Sequence, residues 1–328
     1  MSEIPTQTPA QGPIADLTYR TYTGPLSPPV FRWWAIAKMT MRLAVKKKAF
    51  WGWGITSCWN YILMLGVLTL FEQRAGDGPE GEMLNRFFEN VKWNTLFLDG
   101  YLASLFMLFL CTLTIASGNI AADNKANALL VYLSKPATKT DYLLGKWTGF
   151  FLLLLGVCGV PMLLVYGYGL LSFRQYGFLT QDPWMFPKLL VLMSVAPALL
   201  SSVAVGISSQ FNQPRLATAA FAGAYFLPMV VSYVMFAIIR SHDAGDSGAL
   251  FSLYYAHLAG LEEGIGKSLL NTSGGFANLL FGGGRDRGGD GAIGPPTAWI
   301  VWLSALGVIA ASWFLAWRRV RAVEVIGS

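Results

Sequence analysis

The five residues "GIGKS", Gly264 to Ser268, come nearest in this chain to a catalytic or nucleotide-binding motif. A phosphate-binding loop needs a glycine five positions before the glycine that precedes the lysine, so that successive backbone N–H groups can cradle phosphate oxygens. Here that position is Leu261, and Gly260 stands one residue too early. Hydrolytic chemistry has no better foothold. His242 and His257 are the only histidines, and no Ser, Asp or Glu set stands at the spacing of a nucleophile with its base. Cys58, Cys111 and Cys158 fall one each in separate apolar runs, without the paired spacing of a disulfide framework or a zinc site. The sequence therefore gives no catalytic residue, no metal site and no cofactor.

Ion-coupled transport is a second chemistry, and it asks for ionisable groups deep in a bilayer. The apolar runs are almost free of them. Asp99 lies a few residues inside the outer end of the second run and is expected at the interface. A transporter built from these residues would have to draw its energy from elsewhere.

The elements that would position any such chemistry are membrane spans. Of 328 residues, 54% are hydrophobic and 13% charged, and the mean hydropathy is +0.47. A bilayer core takes roughly 20 apolar residues of helix. Six runs reach that length, near Phe50–Phe71, Phe97–Ser117, Trp147–Leu171, Lys188–Ser209, Leu216–Ile239 and Ala298–Trp317. The expected fold is an all-α integral membrane protein with six transmembrane helices. The first run follows nearly fifty residues and the triplet Lys46, Lys47 and Lys48, unlike a cleaved signal peptide. Pro161, Pro197 and Pro228 lie inside runs three to five, and Ala198, Ser202 and Gly206 make a small-residue stripe in run four.

With six spans both termini lie on one side. That side carries 15 Lys and Arg against 9 on the other, while 12 of the 18 acidic residues fall opposite. The positive-inside rule then makes both termini cytoplasmic, and the net charge of +6 gives no reason to invoke nucleic acid. Residues 1–30 are proline-rich and read as a flexible lead-in. Residues 31–48, too charged to span and too apolar for water, read as an amphipathic helix in the interface. Residues 49–317 make the six-span membrane domain, with a cytoplasmic loop expected at 118–146 and an extracytoplasmic loop at 240–297, and 318–328 form a cytoplasmic tail. In the outer loop, "ALFSLYYAHLAGLEEGIGKSLLN" reads as one or two short amphipathic helices on the outer face.

The 118–146 loop holds the most informative pattern. "GNIAADNKANALLVYL", Gly118 to Leu133, reads as a cytoplasmic amphipathic helix, with Ile120, Leu130 and Leu133 apolar and Asp123, Asn124, Lys125 and Asn127 available to solvent or a partner. Pro136 stops it, and Thr138 with Asp141 three residues on resembles a capping box that opens the helix into span three. A short helix joined to two spans is a shape that can carry a push from a soluble partner into a bundle.

The run "IAADNKANALLVYLSKPATKTDYLLGKW" also resembles the loop between spans two and three in permease subunits of type-2 ATP-binding-cassette transporters. It is most similar to the branch that matures copper enzymes such as nitrous oxide reductase. Many relatives have Glu and a Gly-Thr pair where this chain has Asp123–Asn124 and Asn127–Ala128. The resemblance implies a coupling helix docked on a separate ATPase subunit, a homodimer or a heterodimer with a related permease, a lipid bilayer as surroundings, and the bacterial inner membrane as location. It also implies export. Ile120, Asp123, Lys125, Asn127, Leu130, Leu133, Pro136 and Lys139 become the ATPase-coupling residues. On this reading Asp123→Lys uncouples ATP hydrolysis from transport in a folded protein. A membrane scaffold or assembly factor acting through the outer loop, and a secondary carrier, are the alternatives from other classes.

Overall fold

The computed structural model describes residues 31–74, 91–126, 138–174, 178–242, 252–272 and 295–320. Among them there is no strand. The helices in chain order are α1 (Arg32–Val45), α2 (Lys48–Arg74), α3 (Trp93–Ile115), α4 (Asn119–Lys125), α5 (Lys139–Ser172), α6 (Phe178–Gln181), α7 (Met185–Gln210), α8 (Pro214–His242), α9 (Leu258–Leu270) and α10 (Ala298–Arg319), with a 3₁₀ turn at Ser252–Tyr255 before α9. Six of these, α2, α3, α5, α7, α8 and α10, are long and apolar enough to cross a membrane. They coincide with the six runs read from the sequence to within four residues at each end, except that α5 begins eight residues before run three.

Two spans make the centre. In their most apolar windows, 61% of the residues around α3 and 67% of those in α7 are buried, against 17–22% in α2, α8 and α10. The outer helices turn Trp51, Ile55, Trp59, Leu227, Val231 and Leu303 outward, as lipid-facing helices must. Lipid tails are as apolar as leucine, so close packing and hydrogen bonds hold such a bundle together. The small-residue stripe on α7 shows how. A Cβ at Gly206 would lie 2.9 Å from Ser312 on α10, and Ser202 accepts a hydrogen bond from the Trp147 indole of α5 at 2.9 Å. On the other side of α3, Phe109 stacks on Tyr225 of α8 with ring centroids 3.9 Å apart.

Helix α1 takes three environments. Ile36, Ala37, Thr40 and Ala44 are buried, and they lie against a groove cut by Gly145 and Gly149 on α5. A Cβ at Gly145 would sit 2.6 Å from the Trp33 carbonyl oxygen, and one at Gly149 would sit 2.9 Å from Thr40 Cβ. Lys38 and Arg42 are exposed, as are Phe31, Trp34, Met39 and Leu43. That mixture suits an interface between lipid and water.

The outer loop departs from expectation. Helix α9 does not lie on the outer face: Leu258, Leu261, Glu262, Ile265, Gly266 and Lys267 on it are all buried. Its Gly266 abuts Leu98 of α3 and Leu192 of α7, where an added Cβ would come within 2.8 and 3.3 Å. Ile265 clusters with Val195, Leu199, Val301 and Ala305. The helix is thus wedged among α3, α7 and α10. Its charges made it look like a surface helix, but Gly260, Gly264 and Gly266 thin it enough to enter the bundle. Asn271 ends it in the left-handed conformation (φ 50°), which asparagine tolerates better than most residues.

One consequence overturns the expectation that no carboxylate lies deep in the bundle. Glu262 is fully buried. The "GIGKS" segment is helical interior, and Lys267 pairs with Glu263 at 2.6 Å instead of facing a phosphate.

At the end of the bundle opposite α4 a polar clasp joins three elements. Asp182 receives hydrogen bonds from Lys188 at 2.6 Å and Asn94 at 3.2 Å. Asn94 also donates to the Leu270 carbonyl at 3.1 Å. Burial pushes the Asp182 carboxyl up, but Lys188, Asn94 and the Trp184 N–H outweigh it and hold the group below its ordinary range.

Candidate coupling site between spans two and three

Span two ends at Ile115, the chain turns through Ser117 and Gly118, and α4 begins. Gly118 lets this turn pack closely: a Cβ there would lie 3.1 Å from the Pro214 carbonyl oxygen and 3.2 Å from Thr218 Oγ1 at the start of α8. Ser117 Oγ donates to Thr218 Oγ1 at 3.0 Å. The first-turn N–H groups of any helix lack partners within it. Here the Ala121 N–H donates to Ser208 Oγ of α7 at 3.1 Å, so a residue of span four caps α4. Asn124 Nδ2 donates to the Phe211 carbonyl at 3.1 Å in the short connection between spans four and five. Ile120 and Ala121 are completely buried under these contacts.

A charged knot ties α4 to span three. Lys146 Nζ lies 2.7 Å from Asp123 Oδ2, with only 4% of the lysine side chain exposed. The same ammonium donates to Asn119 Oδ1 at 2.5 Å, and Tyr142 Oη donates to Asp123 Oδ2 at 2.7 Å. Asn119 and Asp123 stand four residues apart on α4, as do Tyr142 and Lys146 on α5, so each pair occupies one helix face. A second cation stands close by. Lys47 Nζ donates to the Thr114 carbonyl at 3.0 Å, in the last turn of α3, where a helix end carries partial negative charge. Burial and the neighbouring Lys146 push the Lys47 ammonium below the ordinary lysine range.

At the start of α5, Thr138 and Asp141 close the capping box that the sequence suggested. Asp141 N–H donates to Thr138 Oγ1 at 3.2 Å, and Thr138 N–H donates to Asp141 Oδ2 at 2.9 Å. Lys139, the first residue of α5, places its ammonium 4.8 Å from the centroid of the Trp317 ring on α10.

The family comparison matches this same region. The model of the ABC-2 family transporter proteins aligns with residues 34–250, about two thirds of the chain. The chain belongs to that family. No curated protein matches it. The matched region of this ABC-2 protein runs from α1 through the coupling loop to the end of span five, and stops before the 3₁₀ turn and α9. As an ABC-2 protein it is a multi-pass membrane component of an ATP-binding-cassette transporter, in lipid and with an ATPase as its partner.

Of the residues singled out in the sequence, Ile120 lies in the interior and Lys125 is exposed. Asp123 directs its carboxylate to Lys146 and Tyr142, as the counter-ion of an ammonium buried at the base of span three. Asn127, Leu130, Leu133 and Pro136 lie outside the described residues, as does the continuation of the helix to Leu133. Described α4 is the seven residues Asn119–Lys125. Sequence reasoning missed Lys47, Asn119, Tyr142, Lys146, Ser208 and Thr218. The i, i+4 pairs Asn119/Asp123 and Tyr142/Lys146 were the available signal.

Proposed function

We propose that this protein is the permease subunit of an exporter, with ATP hydrolysed on a separate subunit that docks against α4 from the cytoplasm. Both termini lie on that side. Two such permeases, identical or related, enclose the path, in the plan of the copper-enzyme maturation branch whose loop the sequence resembles. The observation that carries the reading is the way α4 and the turn that joins it to span two are tied to span three through Asp123 and Lys146, to span four through Ser208, to the connection after it through Phe211, and to span five through Ser117 and Thr218. A helix fixed this firmly cannot move alone. A push on it is delivered to the central spans together, which is what alternating access by rocking of a bundle requires.

Contact with the ATPase falls to the exposed Ala122 and Lys125, together with the segment that follows them. Asp123 and Lys146 instead transmit the push. Asp123→Lys therefore is not a clean uncoupling variant, since it sets two ammonium groups against each other and breaks the knot. The scaffold alternative loses ground because α9, inside the loop it would use, is spent on the bundle's own interior.

Reconstitution with the ATPase tests the reading. The wild-type permease is expected to alter the ATPase turnover in proteoliposomes. Asp123→Asn should bind the ATPase and lose that effect, and an unchanged effect in this variant would remove the knot from the coupling path.

A further inference from the structure

Glu262 is the one described carboxylate with neither oxygen hydrogen-bonded while fully buried. Leaving an ionised carboxylate in such surroundings costs far more than protonating it, so the group is held as the neutral acid when nothing is bound. Its surroundings are mixed. Tyr101 of α3, Tyr225 of α8 and Cys158 of α5 lie within its electrostatic reach, and the Tyr101 hydroxyl, also fully buried, makes no hydrogen bond. Tyr101 stands eight residues into α3 from Trp93, about 12 Å along the axis at 1.5 Å per residue, so the cluster lies well below the polar clasp. The neighbouring charges of α9 do not neutralise Glu262, because Lys267 is engaged by Glu263. One turn along α9 from Glu262, Gly266 abuts Leu98, Leu192 and the Tyr101 ring, and on the adjoining face of α9 Leu261 and Ile265 pack with Val195, Leu199 and Val301, so the apolar wall flanks the carboxyl.

We propose that Glu262 is the recognition point for the cationic head group of an amphiphilic cargo, an alkylammonium type of group, with the Tyr101 hydroxyl as its second polar contact. A bound ammonium lets the acid ionise and converts an unpaired buried group into a charge-assisted hydrogen bond. The apolar wall takes the hydrocarbon part. An anionic head group finds no counter-charge beside the neutral acid and would be buried unpaired, so it is disfavoured. The inference rests on the reading of the chain as a permease with a cargo path, and the described conformation, with Glu262 sealed, is the closed form of that path.

Binding can be read without the ATPase, so a failure here is separate from a failure of coupling. The full-length protein in mild detergent is melted with octylamine, with octanol and with octyl sulfate at equal concentrations. Octylamine is expected to raise Tm by several degrees over octanol, since a ligand specific for the folded state stabilises it in proportion to the logarithm of its saturation. The shift should vanish in Glu262→Gln and shrink in Tyr101→Phe, while octyl sulfate gives none in any of them. Equal responses to amine and alcohol in the wild type, or an undiminished amine response in Glu262→Gln, would overturn the proposal. Should Glu262→Gln fail to fold, Tyr101→Phe decides: an amine shift equal to wild type counts against the site.

Discussion

At the level of single residues, the knot around Asp123 explains why two charges can sit at the base of a greasy helix. Removing one partner of a buried pair leaves the other uncompensated, which costs about 3–5 kcal/mol. A fifth of the Asp123 side chain is exposed, so Asp123→Ala is expected near the lower end, about 3 kcal/mol. Lys146→Met removes the buried charge and keeps the volume. The double variant Asp123→Asn with Lys146→Met should therefore be more stable than the two separate losses suggest. A double-mutant cycle of thermal unfolding checks this, and strict additivity would mean that the pair carries no coupling. Asp182 makes a pH prediction. Its carboxyl is held below the ordinary range in the folded state, so the stability it adds is complete above the unfolded value of about 3.9 and is lost as pH falls through the lower folded value. Melting temperatures of wild type and Asp182→Asn should converge below about pH 4 and separate above it. A constant gap across that window would show that the clasp does not titrate.

Among elements, what was legible in the sequence followed from length and period. Six apolar runs became six spans because roughly 20 residues of helix leave a chain no other way to satisfy its backbone in lipid. The Thr138/Asp141 cap was equally plain, since both partners lie within one turn. Helix α9 was misread because its local pattern, with Glu262, Glu263 and Lys267, resembles a surface helix, while its burial depends on which distant helices close over it. The partner of Asp123 was not legible for the same reason: Lys146 lies 23 residues further along the chain. Helix α1 offers a test at this scale. Gly145→Leu fills the groove where even a Cβ lies 2.6 Å from Trp33 O, and overpacking of this kind costs about 1–3 kcal/mol. The variant should release α1 from α5 and expose Lys38 and Arg42 to faster tryptic cleavage. Unchanged cleavage would place the hold on α1 elsewhere.

For the whole molecule, the energy that moves the bundle has to enter from outside it. The described residues hold no nucleotide loop: "GIGKS" is helix and its lysine is paired. The ABC-2 family membership implies an ATPase as partner, and in the proposed reading α4, tied to spans three, four and five, receives its work. The most direct measurement is co-purification of the tagged protein from its native host in mild detergent, with the ATPase quantified against it. The ATPase is expected in fixed ratio with the wild type and with Asp182→Asn, whose change lies at the far end of the bundle, and is expected to be lost with Lys125→Glu. An ATPase that stays in the same ratio when Lys125 is reversed, or that never accompanies the intact protein, would contradict the docking of an ATPase on α4.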